Sequence, residues 1–166
     1  MKVRIYSDGG CYKNGCEENS VGGYGAIVVI EGEEYILSGS ESPSTNNRME
    51  MVSALRGLEE AAKLLKNHKP AKRGFLGTTT IVLTSDSKYL INGITKWLNG
   101  WKKRGWRTSS GGPVKNEDLW KQLYELDQKL AIDWVWVKGH DGHGYNERCD
   151  EIATLEIKQR RDAMVM

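Results

Sequence analysis

Apolar and polar residues alternate along the first part of the chain in the manner of paired β-strands. The alternation that starts at Lys2 predicts a strand that a turn at Asp8-Gly9-Gly10 brings to an end. A second strand over Val21 to Ile30 and a third over Glu34 to Ser38 are separated by a short Gly-containing turn. The pattern therefore predicts an antiparallel meander with Asp8 at the carboxyl end of its first strand.

A glycine-rich run, Gly22-Gly23-Tyr24-Gly25, lies inside the second predicted strand. A dinucleotide-binding fingerprint has its glycines at the start of a helix, so this run is not a nucleotide site. We interpret these glycines as positions where another backbone packs closely against the strand.

The hydrophobic period becomes helical after Pro43-Ser44-Thr45-Asn46-Asn47. The apolar residues recur on one helical stripe: Met51, Ala54, Leu55, Leu58, Ala61, Ala62 and Leu65. Glu50 stands one turn before Ala54, at the head of this stripe, where a surface helix would carry an apolar side chain. A carboxylate that faces the sheet needs a partner, which makes Glu50 a candidate functional residue.

The rest of the chain alternates strands and helices. Its predicted elements are a strand from Ile81 that ends at Asp86, a helix capped by Ser87 or Asp86 and extending to about Leu98, a short basic helical segment over Trp97–Trp106, a helix from Glu117 to about Lys129, a strand over Ile132–Lys138 and a final helix from about Asn146. The order predicts an α/β fold: a five-stranded mixed sheet, an antiparallel meander plus parallel strands, flanked by helices on both faces. We expect one domain over residues 1–166.

Composition limits the class of protein. The longest aliphatic run, Ala26 to Ile30, is too short to span a bilayer, so we expect a soluble, cytoplasmic protein that does not bind membranes. We also expect a monomer, although no sequence feature determines the oligomeric state. Three cysteines, Cys11, Cys16 and Cys149, are too few for a disulfide framework and are expected to be reduced. They also lack the paired spacing of a zinc site.

Charge is strongly segregated along the chain although the net charge is only +2. Residues 61–116 hold 12 basic side chains and a single acidic one, whereas the segments on either side are net acidic. Such a basic block favours a polyanionic partner. Loop 67–79 belongs to this block and is either solvated or in contact with the substrate.

Four carboxylates are placed where they can converge. Asp8 and Asp86 follow predicted strands, Glu50 and Asp150 lie near helix starts, and ligand sites of such sheets lie beyond the strand ends. Taken singly, Asp8 could form an Asx turn, Asp86 a helix cap and Asp150 a favourable charge at a helix start. Taken together, acids without His or Cys ligands suit Mg²⁺ or Mn²⁺, and two such ions suit phosphodiester hydrolysis.

Two kinds of side chain remain open to two interpretations. His140, in a glycine-rich loop, is either a proton shuttle or a surface histidine. The tryptophans between Trp97 and Trp106 either fill a helix seam or stack on a sugar or base beside the neighbouring cations. The functional alternatives are a metal-dependent nuclease and a non-catalytic nucleic-acid-binding module; only the nuclease explains why anions gather beside a polyanion.

Several strings in the chain resemble type 1 ribonuclease H of the bacterial kind. They are Tyr6-Ser7-Asp8-Gly9, Gly22-Gly23-Tyr24-Gly25-Ala26, Thr45-Asn46-Asn47-Arg48-Met49-Glu50, Thr84-Ser85-Asp86-Ser87, Val137-Lys138-Gly139-His140 and Asn146-Glu147-Arg148-Cys149-Asp150. The resemblance covers nearly the whole chain, and Trp97–Trp106 is similar to the basic protrusion of the longer members. It implies endonucleolytic hydrolysis of the RNA strand of RNA–DNA hybrids with two Mg²⁺ ions, leaving 5′-phosphate and 3′-hydroxyl ends.

The resemblance also implies residue roles. Asp8, Glu50, Asp86 and Asp150 match the metal-binding carboxylates, and His140 matches a histidine of a mobile loop. Substrate contacts are implied for a larger set: Asn14, Asn46 and Asn47 in the minor groove, Lys88 in place of a frequent groove-reading Gln, Thr45 and Asn116 at a DNA phosphate, and Trp97, Trp101, Lys102 and Lys103 along the DNA strand. A DNA-cutting nuclease of the same architecture is the rival enzyme.

Overall fold

The computed structural model describes residues 1–16, 18–67, 79–139 and 144–165. Its strands are β1 (Lys2–Tyr12), β2 (Val21–Ile30), β3 (Glu33–Glu41), β4 (Thr80–Ser85) and β5 (Ile132–Trp136). Its helices are α1 (Asn46–Asn67), α2 (Lys88–Asn92), α3 (Leu98–Lys103), α4 (Glu117–Leu130) and α5 (Gly144–Met164), with a π-helical turn over Gly93–Trp97 between α2 and α3. The predicted order of strands and helices is confirmed.

The strands form one mixed sheet in the order β3-β2-β1-β4-β5. Antiparallel pairing joins β1 to β2 and β2 to β3, whereas β4 pairs in parallel with both β1 and β5. The predicted five-stranded sheet, a meander plus parallel strands, is therefore confirmed.

The first strand is longer than the sequence pattern predicts. Its pairing with β4 ends at Tyr6 opposite Thr84, but its pairing with β2 continues to Tyr12 opposite Val21. The predicted turn at Asp8-Gly9-Gly10 is wrong. A Cβ on Gly9 would lie 2.6 Å from the backbone N of Glu50, so the glycine is required by the close approach of α1 and not by a turn.

Helices cover both faces of the sheet. On one face Gly57 of α1 lies against Ile5, where an added Cβ would be 2.8 Å from the Ile5 side chain. On the other face the α5 backbone lies against Gly23 and Gly25 of β2, where added Cβ atoms would be 2.5 and 2.7 Å from the carbonyl oxygens of Ala153 and Cys149. The prediction that the β2 glycines allow close backbone packing is confirmed.

The main hydrophobic core lies between the sheet, α1 and α4. Its largest fully buried side chains are Trp120, Ile5, Met51, Leu55, Leu58, Ile81, Leu83, Leu90, Leu98 and Leu123. Because α2 contributes Leu90 and the start of α3 contributes Leu98, the basic α2–α3 segment is fixed to the same core. No helix within the described ranges is long and apolar enough to cross a bilayer.

Helix α5 runs alongside β1 in the same direction. Tyr145 stacks on Tyr6 near the start, and Arg161 lies over the Tyr12 ring near the end. Between them, the Ile157 Cδ1 atom lies 3.7 Å from the position of a Cβ on Gly10. Asp8 lies between these contacts in β1, and Asp150 lies between them in α5. Because the two elements run in the same direction, the two acids lie close to each other.

Candidate active site

Asp8 belongs to the part of β1 that extends past β4. Its partner in β2 is Gly25, whose side-chain position faces α5, so strand geometry places Asp8 on the α5 face. Its backbone N donates to Ser53 Oγ at 3.2 Å, and that hydroxyl donates to the Gly25 carbonyl at 2.8 Å. A side chain of α1 therefore satisfies the backbone of β1 at a point beyond the end of its pairing with β4.

Glu50 reaches the same place from α1. The residue is 7% exposed, and its Oε1 accepts a hydrogen bond from the backbone N of Gly9. The prediction that Glu50 heads a buried stripe is confirmed, and its partners are the β1 backbone and the other acids.

Asp86 follows β4 directly. The two alternatives for the helix cap are resolved, because Ser87 Oγ accepts from the backbone N of Leu90 at 3.1 Å and caps α2. Trp136 at the end of β5 donates its indole N–H to the Asp86 carbonyl at 3.0 Å. The Asp86 carboxylate is consequently available for other ligands.

Three of the four predicted acids form a tight cluster. Oxygen atoms of Asp8, Glu50 and Asp86 lie within 4.8 Å of one another, an arrangement that could hold a metal ion. Asp150 lines the same cleft, which has a volume of about 390 Å³. The four acids are distant in sequence, and the structure brings them to one place.

The cluster is electrostatically unfavourable without a cation. Burial raises the pKa of the Asp8 carboxyl to about 7, and the neighbouring charges of Asp86 and Asp150 act in the same direction. Burial and the proximity of Asp8 raise the pKa of Glu50 well above its ordinary range. Like charges held together in a poorly hydrated place favour either protonation or a bound cation.

Two contacts fix the start of α5, which carries Asp150 in its second turn. Arg148 donates from both terminal nitrogens to the two carboxylate oxygens of Glu34 in β3, at 3.1 and 2.9 Å. Tyr145 OH donates to Glu34 Oε1 at 3.0 Å. Sequence reasoning gave neither Tyr145 nor Glu34 a role, because a strand residue and a helix residue 111 positions apart share no local pattern.

The predicted groove-reading residues lie beside the acids. Asn46, Asn47 and Lys88 line the cleft, and Asn14 Oδ1 accepts from the backbone N of Asn46 at 3.1 Å. Lys88 Nζ lies 5.1 Å from the centroid of the Trp136 ring. These positions adjoin the acidic cluster, and their contacts with a substrate stay predictions.

Thr45 and Asn116, the predicted phosphate pair, are connected through Arg48. Thr45 Oγ1 accepts from the backbone N of Arg48 at 3.1 Å, and the Arg48 guanidinium donates to Asn116 Oδ1 at 3.3 Å. Arg48 also pairs with Glu41 and Asp118. The sequence motif contained Arg48 without a role, and the structure shows that it ties the start of α1 to the start of α4.

The aromatic residues of the α2–α3 segment divide between packing and exposure. Trp101 packs between Trp97 and Trp120, with ring centroids 6.0 and 5.3 Å away, whereas Trp97 is 41% exposed. Lys102 donates to Tyr124 OH at 2.6 Å, and Lys103 is exposed. The helix-seam interpretation is therefore confirmed for Trp101, whereas stacking of the exposed Trp97 ring on a sugar or base stays a prediction.

Two predictions fall outside the described residues. His140 and positions 68–78 of the basic loop are not described by the structure. Gly139, the residue before His140, is described, and a Cβ there would lie 2.9 Å from Asp86 Oδ2. The backbone that leads to His140 thus passes beside the acidic cluster.

Comparisons with known proteins agree with this geometry. The RNase H family model matches residues 1–158. The Ribonuclease H of Thiobacillus denitrificans is 44% identical over 159 residues, covering 96% of this chain and 95% of that protein. The Ribonuclease H of Novosphingobium aromaticivorans is 43% identical over 152 residues, covering 92% and 94%. Among solved structures, LC9-RNase H1, described as a type 1 RNase H with the type 2 active-site motif, is 33% identical with a TM-score of 0.71, covering 95% of this chain and 72% of that chain.

Proposed function

Because the chain belongs to the RNase H family, we propose that it is an endoribonuclease that hydrolyses the RNA strand of RNA–DNA hybrids. The products would be 5′-phosphate and 3′-hydroxyl ends. We further propose that residues 1–166 act as one catalytic domain and that the enzyme is a cytoplasmic monomer. The observation that carries the proposal is the meeting of Asp8, Glu50 and Asp86 in a cleft that Asp150 also lines.

The side chains of the cleft fit divalent metal ions. Every acidic ligand offers oxygen, the preferred donor of hard cations. Burial, together with the neighbouring carboxylates, raises the pKa of Asp8 and of Glu50, and a bound cation would offset both effects. We propose two ions, Mg²⁺ with Mn²⁺ as the alternative. Asp8 would contact both, Glu50 and Asp86 would hold one, and Asp150 would help to hold the other. When bound, these ions supply positive charge to the phosphate and lower the pKa of a bound water.

The remaining side chains of the cleft position the substrate. Asn14, Asn46 and Asn47 carry amide groups that can donate to and accept from the 2′-hydroxyl groups and base edges of a minor groove. Lys88 supplies a cation at the rim of the cleft. His140 would accept or donate a proton at its imidazole as product leaves.

The second strand of the hybrid would lie over the α2–α3 segment. Trp97 offers an exposed ring for stacking, and Lys102 and Lys103 offer cations to the phosphates. Thr45 and Asn116 would take one phosphate of the DNA strand. Trp101, which is partly exposed and packs against Trp97, would support this surface and contact the strand.

The proposal is tested by offering the enzyme a matched RNA–DNA hybrid, duplex DNA and single-stranded RNA with Mg²⁺. We expect cleavage of the hybrid alone, within its RNA strand. Asp8→Asn should abolish cleavage while the dissociation constant for the hybrid changes little. Asp133→Asn, which removes an exposed carboxylate of β5 away from the cleft, is the matched control and should cleave like the parent.

Three results would contradict the proposal. Cleavage of duplex DNA at a similar rate would favour the rival nuclease. Hybrid binding without cleavage would favour a non-catalytic binding module. Substantial cleavage by Asp8→Asn would remove Asp8 from the proposed mechanism.

A further inference from the structure

Two cations lie over one aromatic ring at the far end of β1. The Arg161 guanidinium carbon of α5 is 3.5 Å from the centroid of the Tyr12 ring, and Lys13 Nζ is 5.6 Å from it. We call the two cations, Lys13 and Arg161, the Tyr12 cation pair. At 3.5 Å the guanidinium is in van der Waals contact with the ring, which is a favourable cation–π arrangement.

Both cations have unused hydrogen-bond donors. Lys13 and Arg161 are exposed, and neither forms an ion pair within the described part of the chain. A guanidinium whose face rests on a ring keeps its N–H groups directed outward in the plane, so its orientation is fixed in advance of binding. Such a group loses little conformational freedom when it donates to a phosphate.

The Tyr12 cation pair is continuous with the catalytic cleft. Lys13 immediately precedes Asn14, whose side chain accepts from the backbone N of Asn46 at the cleft wall. Tyr12 is four residues beyond Asp8 in one strand, which corresponds to about 13 Å. Along a nucleic-acid strand this is about four nucleotides, at 3.4 Å per nucleotide.

The pair occupies the flank opposite the α2–α3 segment. Trp101 and Tyr89 of that segment pack on Trp120 of α4, on the α1 side of the sheet. Arg161 belongs to α5, which covers the other face. The acidic cleft thus has cations on both sides, although the segment that supplies Arg161, residues 117–166, has more acidic than basic residues.

We propose that the Tyr12 cation pair binds backbone phosphates of the cleaved strand, about four nucleotides from the scissile bond. This inference rests on the proposed function, since it requires a hybrid in the cleft. The cleaved strand is the expected ligand because it must pass over Asp8, and β1 leads from Asp8 directly to Tyr12. Lys13 and Arg161 would then oppose the repulsion between the four acids and the substrate on the flank that the α2–α3 segment does not reach.

The experiment compares the parent with Lys13→Ala/Arg161→Ala and with a control, Lys63→Ala/Lys129→Ala. The control removes the same charge from exposed positions in α1 and α4 that are more than three helical turns from the helix ends at the cleft. Hybrid dissociation constants are measured in a chelator, which prevents cleavage, across about 50–200 mM salt. We expect the logarithmic salt slope of Lys13→Ala/Arg161→Ala to fall by about 2 and its affinity to fall by about tenfold, with no change in the control.

A second arm locates the contact. Single uncharged methylphosphonate linkages are placed in either strand of the hybrid, about three to five nucleotides from the mapped cleavage site. One such linkage in the RNA strand should weaken binding by the parent and leave Lys13→Ala/Arg161→Ala unaffected. Both double variants should remain folded, because all four side chains are exposed. Lys13→Ala/Arg161→Ala should lose at most a few degrees in Tm, because it removes a cation–π contact at an exposed site.

The outcomes separate this inference from the proposed function. If the parent cleaves the hybrid but Lys13→Ala/Arg161→Ala keeps the parent salt slope, the inference is wrong and the proposed function stands. If only DNA-strand linkages distinguish the parent from the variant, the assignment to the cleaved strand is wrong. If the parent fails to cleave hybrids, the proposed function itself is wrong.

Discussion

The ring of Tyr145 in α5 lies nearly parallel to the ring of Tyr6 in β1, with centroids 4.4 Å apart and planes 11° apart. Tyr6 is two residues before Asp8 in its strand, and Tyr145 is five residues before Asp150 in its helix. The stack therefore connects the two elements that carry these acids. Stacking of two aromatic rings is favourable, so this contact helps to hold β1 and α5 together against the electrostatic repulsion between Asp8 and Asp150.

Tyr145→Ala should reduce kcat on a hybrid by about tenfold with little change in KM. The variant lacks the stack on Tyr6 that positions the start of α5, and with it Asp150, relative to β1. Tyr145→Phe keeps the stack, loses only the hydrogen bond to Glu34, and should retain most of the activity. Steady-state kinetics of both variants test this. Equal kcat values for Tyr145→Ala and the parent would show that α5 is held adequately by other contacts.

Metal-free Asp8→Asn should be more stable than the metal-free parent, and the difference should depend on pH. The Asp8 pKa of about 7 lies above the ordinary value of 3.8, so between these pH values the unfolded chain releases a proton that the native protein retains. The parent consequently loses stability as pH rises from about 4 to 7, and the loss is complete above pH 7.

Urea denaturation in a chelator measures this difference. We expect the two proteins to have the same free energy of unfolding near pH 4. Near pH 8 the free energy of unfolding of Asp8→Asn should exceed that of the parent by about 2–4 kcal/mol. Glu50, whose pKa is also raised, adds a dependence of the same sign in both proteins. A difference that is constant with pH would contradict the assignment of the repulsion to Asp8.

Gly9→Ala and Gly10→Ala should differ sharply although the residues are neighbours. A Cβ on Gly9 would lie 2.6 Å from the Glu50 backbone N, and a helix backbone cannot move aside. We therefore expect Gly9→Ala to lower the free energy of unfolding by about 3 kcal/mol or more and to abolish activity. A Cβ on Gly10 would meet only Ile157 Cδ1 at 3.7 Å, and we expect a change within about 0.5 kcal/mol. Chemical denaturation of both variants decides the point, and similar stabilities would refute the close approach of α1.

Lys102→Ala/Lys103→Ala should flatten the salt dependence of hybrid binding. Lys102 is held by Tyr124, with its ammonium 3.8 Å from the ring centroid, and Lys103 is exposed in the same helix. If both engage phosphates, the logarithmic slope should fall by about 2 relative to Lys63→Ala/Lys129→Ala. An unchanged slope would remove the α2–α3 segment from the docking surface.

The strands, the helices and the positions of the clustered acids were predictable because each depends on the pattern of apolar and polar residues close by in the sequence. Glu50 interrupts a helical stripe, and Asp86 follows an apolar strand, so both were located by their neighbours in sequence. The end of β1 was not predictable, because the sequence Asp-Gly-Gly is compatible both with a turn and with a strand that a helix approaches closely. The contacts of Glu34 with Arg148, and of Arg48 with Asp118, join residues 114 and 70 positions apart and leave no local pattern.

The early end of β4 has a consequence for how a substrate can enter. Beyond Tyr6, β1 continues for six residues that have no parallel neighbour in the described part of the chain, which leaves a step at the edge of the sheet where Asp8 is placed. Among the described residues, nothing closes this step into a tunnel or a blind pocket. We therefore expect a long double helix to settle across it sideways at any internal position, so that cleavage would need no free strand terminus.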